Sequence, residues 1–288
     1  MSGLKALKLR IGSVKSTRKI TKAMQMVAAA KLKRAQDAAN RARPYADSLE
    51  HILSNLSASS NDLSEPLPLF SGTGSEDKIL CVVMTADRGL CGGFNAAIIK
   101  YARERIKDYE AQNKEVLLVT IGRRACDSFK KTHSGKILAS RYLSETRHVD
   151  FAFAEAITQD ILTAFDDNLF DVCEIVSSQF KSVISQVPHA HRVIPVSLSS
   201  GTDECDYEIE PDAETVLADI LPKNLAVQVY AALLENAAGE QGARMSAMDN
   251  ATRNAGDMIN KLTLKFNRTR QANITKELIE IISGAEAL

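Results

Sequence analysis

Both ends of the chain carry the residue pattern of long amphipathic helices, and this pattern restricts the possible folds more than any other feature. Near the N-terminus, apolar residues recur at alternating spacings of three and four over residues 4–14 and again over residues 28–56. Residues 245–266 show the same spacing, which is typical of coiled coils. Each helix needs a partner for its apolar stripe, so we expect the two to pair as a long antiparallel coiled coil.

Polar residues interrupt the N-terminal pattern. Arg18, Thr21 and Gln25 occupy positions where the apolar seam is expected, while an apolar stripe shifts to another face of the helix. Thr252 is the one polar seam residue in the C-terminal pattern. We therefore predict that the N-terminal helix continues through this stretch while the surface with which it pairs changes.

Each terminal helix contains one proline. Pro44 is expected to bend or loosen the N-terminal helix, because proline lacks the backbone donor and clashes with the preceding turn. Pro222 fits the first turn of a new helical stretch, or a kink, in the C-terminal helix.

The middle of the chain alternates between strand and helix patterns, which predicts a Rossmann-like α/β domain with a mainly parallel sheet covered on both faces. The predicted strands are residues 79–84, 116–120, 172–178 and 193–198, and the predicted helices are residues 94–109 and 150–166. The predicted organisation is an N-terminal coiled-coil helix (1–57), a linker (58–77), the central α/β domain (78–198), a linker or foot segment (199–211) and a C-terminal coiled-coil helix (212–288).

The net charge of zero hides a strong asymmetry along the chain. Residues 1–45 contain twelve lysines and arginines and the single acid Asp37, so this segment carries a charge of +11 and the remainder carries −11. The excess indicates an anionic partner, which could be nucleic acid, a membrane surface or an acidic protein, or else a solvated helix face. The basic stretch lacks the interleaved aromatic residues of single-strand nucleic-acid grooves, and the missing Trp and Phe weaken the membrane alternative.

The sequence contains no recognisable catalytic or metal-binding constellation. The five cysteines form no CxxC pair, and we expect them to be reduced and mostly packed. His189 and His191 would share one face of a strand, but no nearby cysteine or carboxylate completes a metal site. The glycine-rich turn at residues 85–95 lies where a phosphate loop would lie, yet it matches neither common nucleotide motif, which favours a structural turn. We therefore expect no cofactor and no catalytic residue.

Three long motifs carry a resemblance to a known family. They are MSGLKALKLRIGSVKSTRKITKAMQMVAAAKLKRAQ, TADRGLCGGFN and RMSAMDNATRNAGDMINKLTLKFNRTRQANITKELIEIISGAEAL. In this order, and over nearly the whole chain, they resemble the γ subunit of F-type, proton-translocating ATP synthases. The resemblance implies a non-catalytic central rotor stalk that couples proton flow through the membrane rotor to ATP synthesis at the β subunits, by rotation within an α3β3 ring. The implied partners are the α and β subunits, the ε subunit (δ in mitochondrial naming) and the c-ring, with no nucleic acid.

The resemblance also implies residues that contact the ring. Arg270 and Gln271 match residues that contact a loop of one β subunit. Met24, with its basic neighbours Lys19 and Lys22, matches a segment near the acidic lower lobes of the β subunits.

Further contacts are implied in the other two motifs and between them. The turn that contains Arg88 and Cys91 matches another segment close to the β lobes, and Tyr207 falls where the foot meets the c-ring and the ε subunit. The apolar C-terminal end, with Ile281 and Ile282, needs a sleeve of other protein around it. The chain begins almost at its first motif, which favours a bacterial protein on the cytoplasmic side of the inner membrane, although a processed organelle form would look similar.

Two other function classes fit parts of the sequence. A nucleotide-dependent enzyme built on the α/β domain would bind nucleotide saturably as the isolated chain. A basic helical adaptor for nucleic acid would lose affinity steeply as salt rises.

Overall fold

The structure is a computed structural model that describes residues 2–58, 67–143, 149–196 and 213–286. Its helices are α1 (Ser2–Ala58), α2 (Pro68–Ser71), α3 (Phe94–Ala111), α4 (Arg123–Phe129), α5 (Phe151–Asp166) and α6 (Ala213–Glu286). Its strands are β1 (Lys78–Met84), β2 (Glu115–Ile121), β3 (Ile137–Arg141), β4 (Val172–Phe180) and β5 (Gln186–Ile194), with a 3₁₀ turn at Ser134–Lys136.

The five strands form one sheet in the order β3-β2-β1-β4-β5. The pairs β1–β2, β1–β4 and β2–β3 are parallel, whereas β5 runs antiparallel to β4 at one edge. The prediction of a mainly parallel sheet between two long terminal helices is therefore confirmed. The predicted strand at 193–198 is misplaced, because β5 begins at Gln186 and ends before Pro195, whose nitrogen has no proton to donate to a ladder.

Alternate residues of β1 point into two separate apolar cores, as expected for a central strand buried on both faces. Ile79, Cys81 and Val83 pack with α3 in one core. Leu80, Val82 and Met84 pack with α5 and with α6 residues Leu225, Val229 and Leu233 in the other core. The sheet is thus covered on both sides, as predicted.

A third apolar cluster joins both terminal helices to the chain around the sheet. Leu49 and Leu53 of α1 are buried with Leu217 and Leu221 of α6 and with Val196, which follows β5. Residues of α2 pack against this cluster, and Val196 N donates to Leu69 O at 3.1 Å. Part of the segment predicted as a linker is therefore ordered by apolar burial.

The chain divides into two compact units. One contains α1 up to Ala28 together with α6 from Arg244, and the other extends from Ala29 to Ala243 and contains the sheet. Both long helices belong to both units, and helical backbone continues through Pro44 and Pro222. Pro222 therefore does not begin a new helix, whereas the bend at Pro44 and the predicted domain limits stay predictions.

Replacing two glycines of the long helices with alanine should change the stability of the helices in opposite directions. Gly12 of α1 has open space around a built Cβ atom, so Gly12→Ala should stabilise α1 locally by about 0.5–1 kcal/mol. On α6, a Cβ at Gly239 would lie 3.0 Å from Phe94 Cε2, and overpacking of about 1–3 kcal/mol should outweigh the gain in helix propensity. Hydrogen exchange of α1 and α6 amides measures both effects. Equal stabilisation by both variants would contradict the close packing of α6 on Phe94.

Candidate functional site

A polar layer lies within the pair formed by α1 and α6. Thr21 Oγ1 lies 2.8 Å from Thr252 Oγ1, and Gln25 Nε2 donates to Asp249 Oδ1 at 3.0 Å. Residue numbers rise along α1 while the numbers of their partners fall along α6, so the pair is antiparallel as predicted. Thr21 is buried. The prediction that the partner surface of α1 changes in this stretch is therefore wrong for Thr21 and Gln25, because their polar groups bond to α6.

The outer face of α1 beside this layer combines positive charge with apolar surface. Lys19 and Lys22 are exposed, and Met24 is half-buried. Ile20 and Val27 keep 59% and 56% of their surface exposed. We call these five residues the α1 collar. Its mixture of lysines and uncovered apolar groups is suited to a protein partner that supplies both acidic and apolar groups.

The end of α6 has no described partner within the chain. Arg270 and Gln271 are exposed, and every side chain from Ile274 to Ser283 is exposed as well. Ile281 and Ile282 keep 67% and 57% of their surface in solvent. Exposed isoleucines on consecutive turns form an apolar surface that another protein is needed to cover.

The turn after β1 is held by side-chain hydrogen bonds. Asn95, in the first turn of α3, accepts from Ala86 N at 2.9 Å and donates to Arg88 O at 3.4 Å and to Cys91 Sγ at 3.2 Å. Asp87 Oδ1 accepts from Arg123 N at 2.8 Å. Sequence reasoning did not single out Asn95 or Asp87, since their roles depend on contacts across the turn.

Only part of this turn faces solvent. Arg88 is exposed, and Leu90 adopts a φ of 65° with 64% of its surface uncovered. Cys91 is buried, and its Sγ donates to Arg88 O at 3.8 Å. The cysteine thus helps to close the turn, and a partner contact at this position, which stays a prediction, would be made through Arg88 and Leu90.

Comparison with known proteins decides the family. A family model described as ATP synthase matches residues 3–288. A protein of Chelativorans sp. (strain BNC1), named ATP synthase gamma chain, is 54% identical over 292 residues, with 100% of both chains covered. The chain belongs to the ATP synthase gamma chain family. Other members, from Parvibaculum lavamentivorans and Paracoccus denitrificans, are 52% and 53% identical over their full lengths, so the resemblance inferred from the three motifs is confirmed.

Solved structures agree with membership of the gamma chain family. A chain from the central stalk and c-ring structure of the Tetrahymena thermophila mitochondrial ATP synthase matches with 25% identity and a TM-score of 0.62, covering 81% of this chain and 99% of that one. A chain of the Euglena gracilis enzyme matches with 19% identity and a TM-score of 0.70, covering 99% and 94%. The second match supports the fold alone.

This gamma chain family member contains a partly buried ion pair between α3 and the sheet. Arg105 Nη2 donates to both carboxylate oxygens of Glu174 on β4, at 2.7 and 2.8 Å, and also contacts the Tyr109 hydroxyl. Burial, together with the Glu174 charge, raises the pKa of the Cys81 thiol to about 12. Cys81 therefore remains a protonated packing residue, and the ion pair links the C-terminal half of α3 to β4.

A second polar cluster surrounds Cys126 on α4. Its Sγ lies 3.4 Å from the Tyr142 hydroxyl and 3.6 Å from Ser140 Oγ. Burial acts to raise the pKa of this thiol, but hydrogen bonds with Tyr142 and Ser140 and the nearby Lys130 hold the pKa below its ordinary value. The side chain is buried, so the cluster is no open nucleophilic site.

The histidines and the remaining cysteines singled out in the sequence do not form a metal site among the described residues. Within the described ranges, no group of three or more His, Cys, Asp and Glu could hold a metal ion. His189 and His191 both lie on β5, and burial lowers the pKa of His189. Cys81, Cys91, Cys126 and Cys173 are free thiols and buried, as expected. Tyr207 and Cys205 lie outside the described residues.

By length and composition, α6 is the one helix in the described part of the chain that could cross a membrane. However, 44% of its most apolar window is buried inside the protein. A core helix of a folded domain has the same properties.

Proposed function

We infer that this chain is the central rotor stalk of an F-type ATP synthase and couples proton flow through the membrane rotor to ATP synthesis at the β subunits. The observation that carries this function is identity of 52–54% over the full length of bacterial proteins named ATP synthase gamma chain. The uncovered α1 collar and the uncovered end of α6 support it, because both surfaces need a surrounding protein.

The chain acts without catalytic groups of its own. A rotating subunit whose sides differ contacts each β subunit with a different surface at successive angles. It stabilises one conformation of each nucleotide site more than another, and such a difference in binding free energy is enough to shift a conformational equilibrium. The ring therefore carries out the chemistry of ATP, and the gamma chain shifts the equilibrium between the conformations of the nucleotide sites.

The proposed partners follow from the same assignment. They are the α and β subunits around the paired helices, and the ε subunit and c-ring at the foot near Tyr207. Solved structures with this fold come from a central stalk and c-ring assembly in one case and from an assembly with F1 and the c-ring in another. As part of a bacterial complex, the chain would be peripheral on the cytoplasmic side of the inner membrane.

Direct observation of rotation tests this function. Ile184, in the turn between β4 and β5, is 89% exposed, so Ile184→Cys offers an attachment point for a bead or gold rod. In an immobilised complex with α and β subunits, the probe should turn stepwise when ATP is added and stop when ATP is removed. A probe on an α subunit is the control and should not turn. Steady ATP hydrolysis with a stationary gamma probe would refute the rotor assignment.

Charge reversal on the α1 collar tests its proposed contact with acidic lobes of the β subunits. Lys19→Glu with Lys22→Glu should lower coupled ATP synthesis at least about threefold, since like charges brought together oppose docking. The measurement is ATP synthesis and ATP-driven proton pumping in reconstituted vesicles.

The matched control for the collar places the same charge change elsewhere. Lys107 on α3 and Lys131 just after α4 are exposed lysines, and Lys107→Glu with Lys131→Glu should leave coupling unchanged. Equal losses in the collar and control variants would show that net charge, and not the collar, determines coupling.

A further inference from the structure

The polar layer between α1 and α6 is an ordered chain of hydrogen bonds. Thr252 Oγ1 donates its single proton to Met248 O, at 2.7 Å. The Thr21 hydroxyl, 2.8 Å away, can donate to its oxygen, and Arg18 O at 3.1 Å is a second acceptor for the same proton. The shorter contact, between the two threonines, requires that they lie opposite each other.

A second set of polar contacts crosses the pair one turn further along α1. Lys22 Nζ donates to Gln25 Oε1 at 3.1 Å, and the amide nitrogen of Gln25 donates to Asp249. Arg253 pairs with the other carboxylate oxygen of Asp249. On the opposite side of the threonines, a Cβ atom at Gly256 would lie 3.9 Å from Arg18 Cζ. Three successive positions of α1 thus have polar or close contacts with α6 in one register.

A slip of α6 by one heptad would break the two hydrogen bonds that cross the pair, Thr21–Thr252 and Gln25–Asp249. Thr21 would then face Met245 or Ile259, neither of which carries a hydroxyl, and its hydroxyl would be left with Arg18 O of its own helix as acceptor. In the second of these slips Gln25 would face Gly256. The apolar seam at residues 4–14 opposes only one of these slips. When Thr21 faces Ile259, Leu7 and Ile11 meet the polar residues Asn273 and Thr269, but when Thr21 faces Met245 they meet Ile259 and Ala255. Within the unit formed by residues up to Ala28 and from Arg244, the polar layer therefore opposes the slip that the apolar seam tolerates.

We propose that Thr21, Gln25, Asp249 and Thr252 are positioning residues that set the register of α1 against α6. The register fixes how far α6 extends past the start of α1. Extending the observed pairing places Ser2 opposite Gln271, and the side chains of α6 from Ile274 to Ser283 beyond this point are all exposed. The role of these four residues in setting the register does not depend on the proposed rotor function. Only the consequence that this register positions Arg270 and Gln271 against the ring rests on that function.

Distance measurement between spin labels on the isolated full-length chain tests the register separately from the rotor function. Ser16 and Asp257 are exposed and lie opposite each other, so Ser16→Cys with Asp257→Cys provides two label sites. Cys205→Ser removes a competing thiol, and the other four native cysteines are buried. The chain with an intact layer should give a single distance.

Removal of the layer should create a second register. In Thr21→Val, Thr252→Val, Gln25→Leu, Asp249→Leu, we expect an added population displaced along the axis by about 10 Å, one heptad at 1.5 Å per residue. Helical content should be retained, because apolar seam residues replace polar ones. The milder variant Thr21→Val with Thr252→Val keeps side-chain volume, and it should show a smaller second population. A single unchanged distance in both variants would overturn the proposal.

An exchange variant separates the hydrogen bond from residue identity. Gln25→Asp with Asp249→Gln keeps an amide opposite a carboxylate and should retain the single distance. Two populations in this variant would also overturn the proposal, since the cross-helix bond would then be insufficient to specify the register.

Discussion

Replacing Gly122 with alanine is expected to destabilise the unit that contains the sheet by about 3–5 kcal/mol. Gly122 has a φ of 89°, and a Cβ atom there would lie 2.2 Å from the backbone oxygen of Thr85. Backbone strain of about 1–3 kcal/mol would add to this overlap. Thr85 cannot retreat easily, because its nitrogen donates to Ile121 O at 2.8 Å and its hydroxyl accepts from Ala125 N at 2.9 Å.

Hydrogen exchange at increasing denaturant, followed in the amides of β1 and β2, would measure this loss. Gly135→Ala is the matched control, since a Cβ atom there has nothing within 4 Å, and its effect should stay within about 0.5 kcal/mol. The turn with Arg88 starts at Thr85, so the Gly122 variant should also lose protection in that turn. Unchanged protection of β1 in Gly122→Ala would contradict the close approach.

Strong periodic patterns made the main elements predictable. β1 and β2 were recognised within one residue at each end, because continuous apolar runs mark strands buried on both faces. The edge strand β3 was missed. Its five residues are mostly half-buried, which leaves no clear alternation, and α4 has only seven residues and so little periodicity.

Contacts between distant residues explain most of what the sequence did not reveal. Thr21 and Thr252 were both recognised as polar seam residues, but their bond depends on the register of two segments more than 200 positions apart. The Cys126 cluster joins α4 to β3 and the residue that follows it, and no local pattern indicates such a meeting. Arg270, Gln271, Lys19 and Lys22, which the family resemblance implies as contact residues, are exposed on the helices, and their contacts with a ring stay predictions.

Removing the end of α6 should impair assembly far more than it affects the fold of the chain. A chain ending at Asn273 loses Ile274, Leu278, Ile279, Ile281 and Ile282, all at least half exposed. They contribute little to the folded chain, so the melting temperature should stay nearly unchanged. If a surrounding ring covers them, full burial contributes about 1.5–3 kcal/mol each, and only part of this appears as affinity. We therefore expect binding to the α and β subunits to weaken at least about tenfold, as measured by titration of labelled chain into the ring.

A polar substitution in the same segment provides the comparison that assigns the loss to apolar surface. Lys276 and Glu280 form an exposed pair at 3.6 Å, and such pairs contribute little. Lys276→Ala with Glu280→Ala should therefore bind the ring as the unchanged chain does, whereas Ile281→Ser with Ile282→Ser should reproduce a large share of the truncation. Equal affinity of the truncated and full-length chains would mean that the ring leaves these side chains uncovered. The prediction that other protein surrounds the end of α6 would then be wrong.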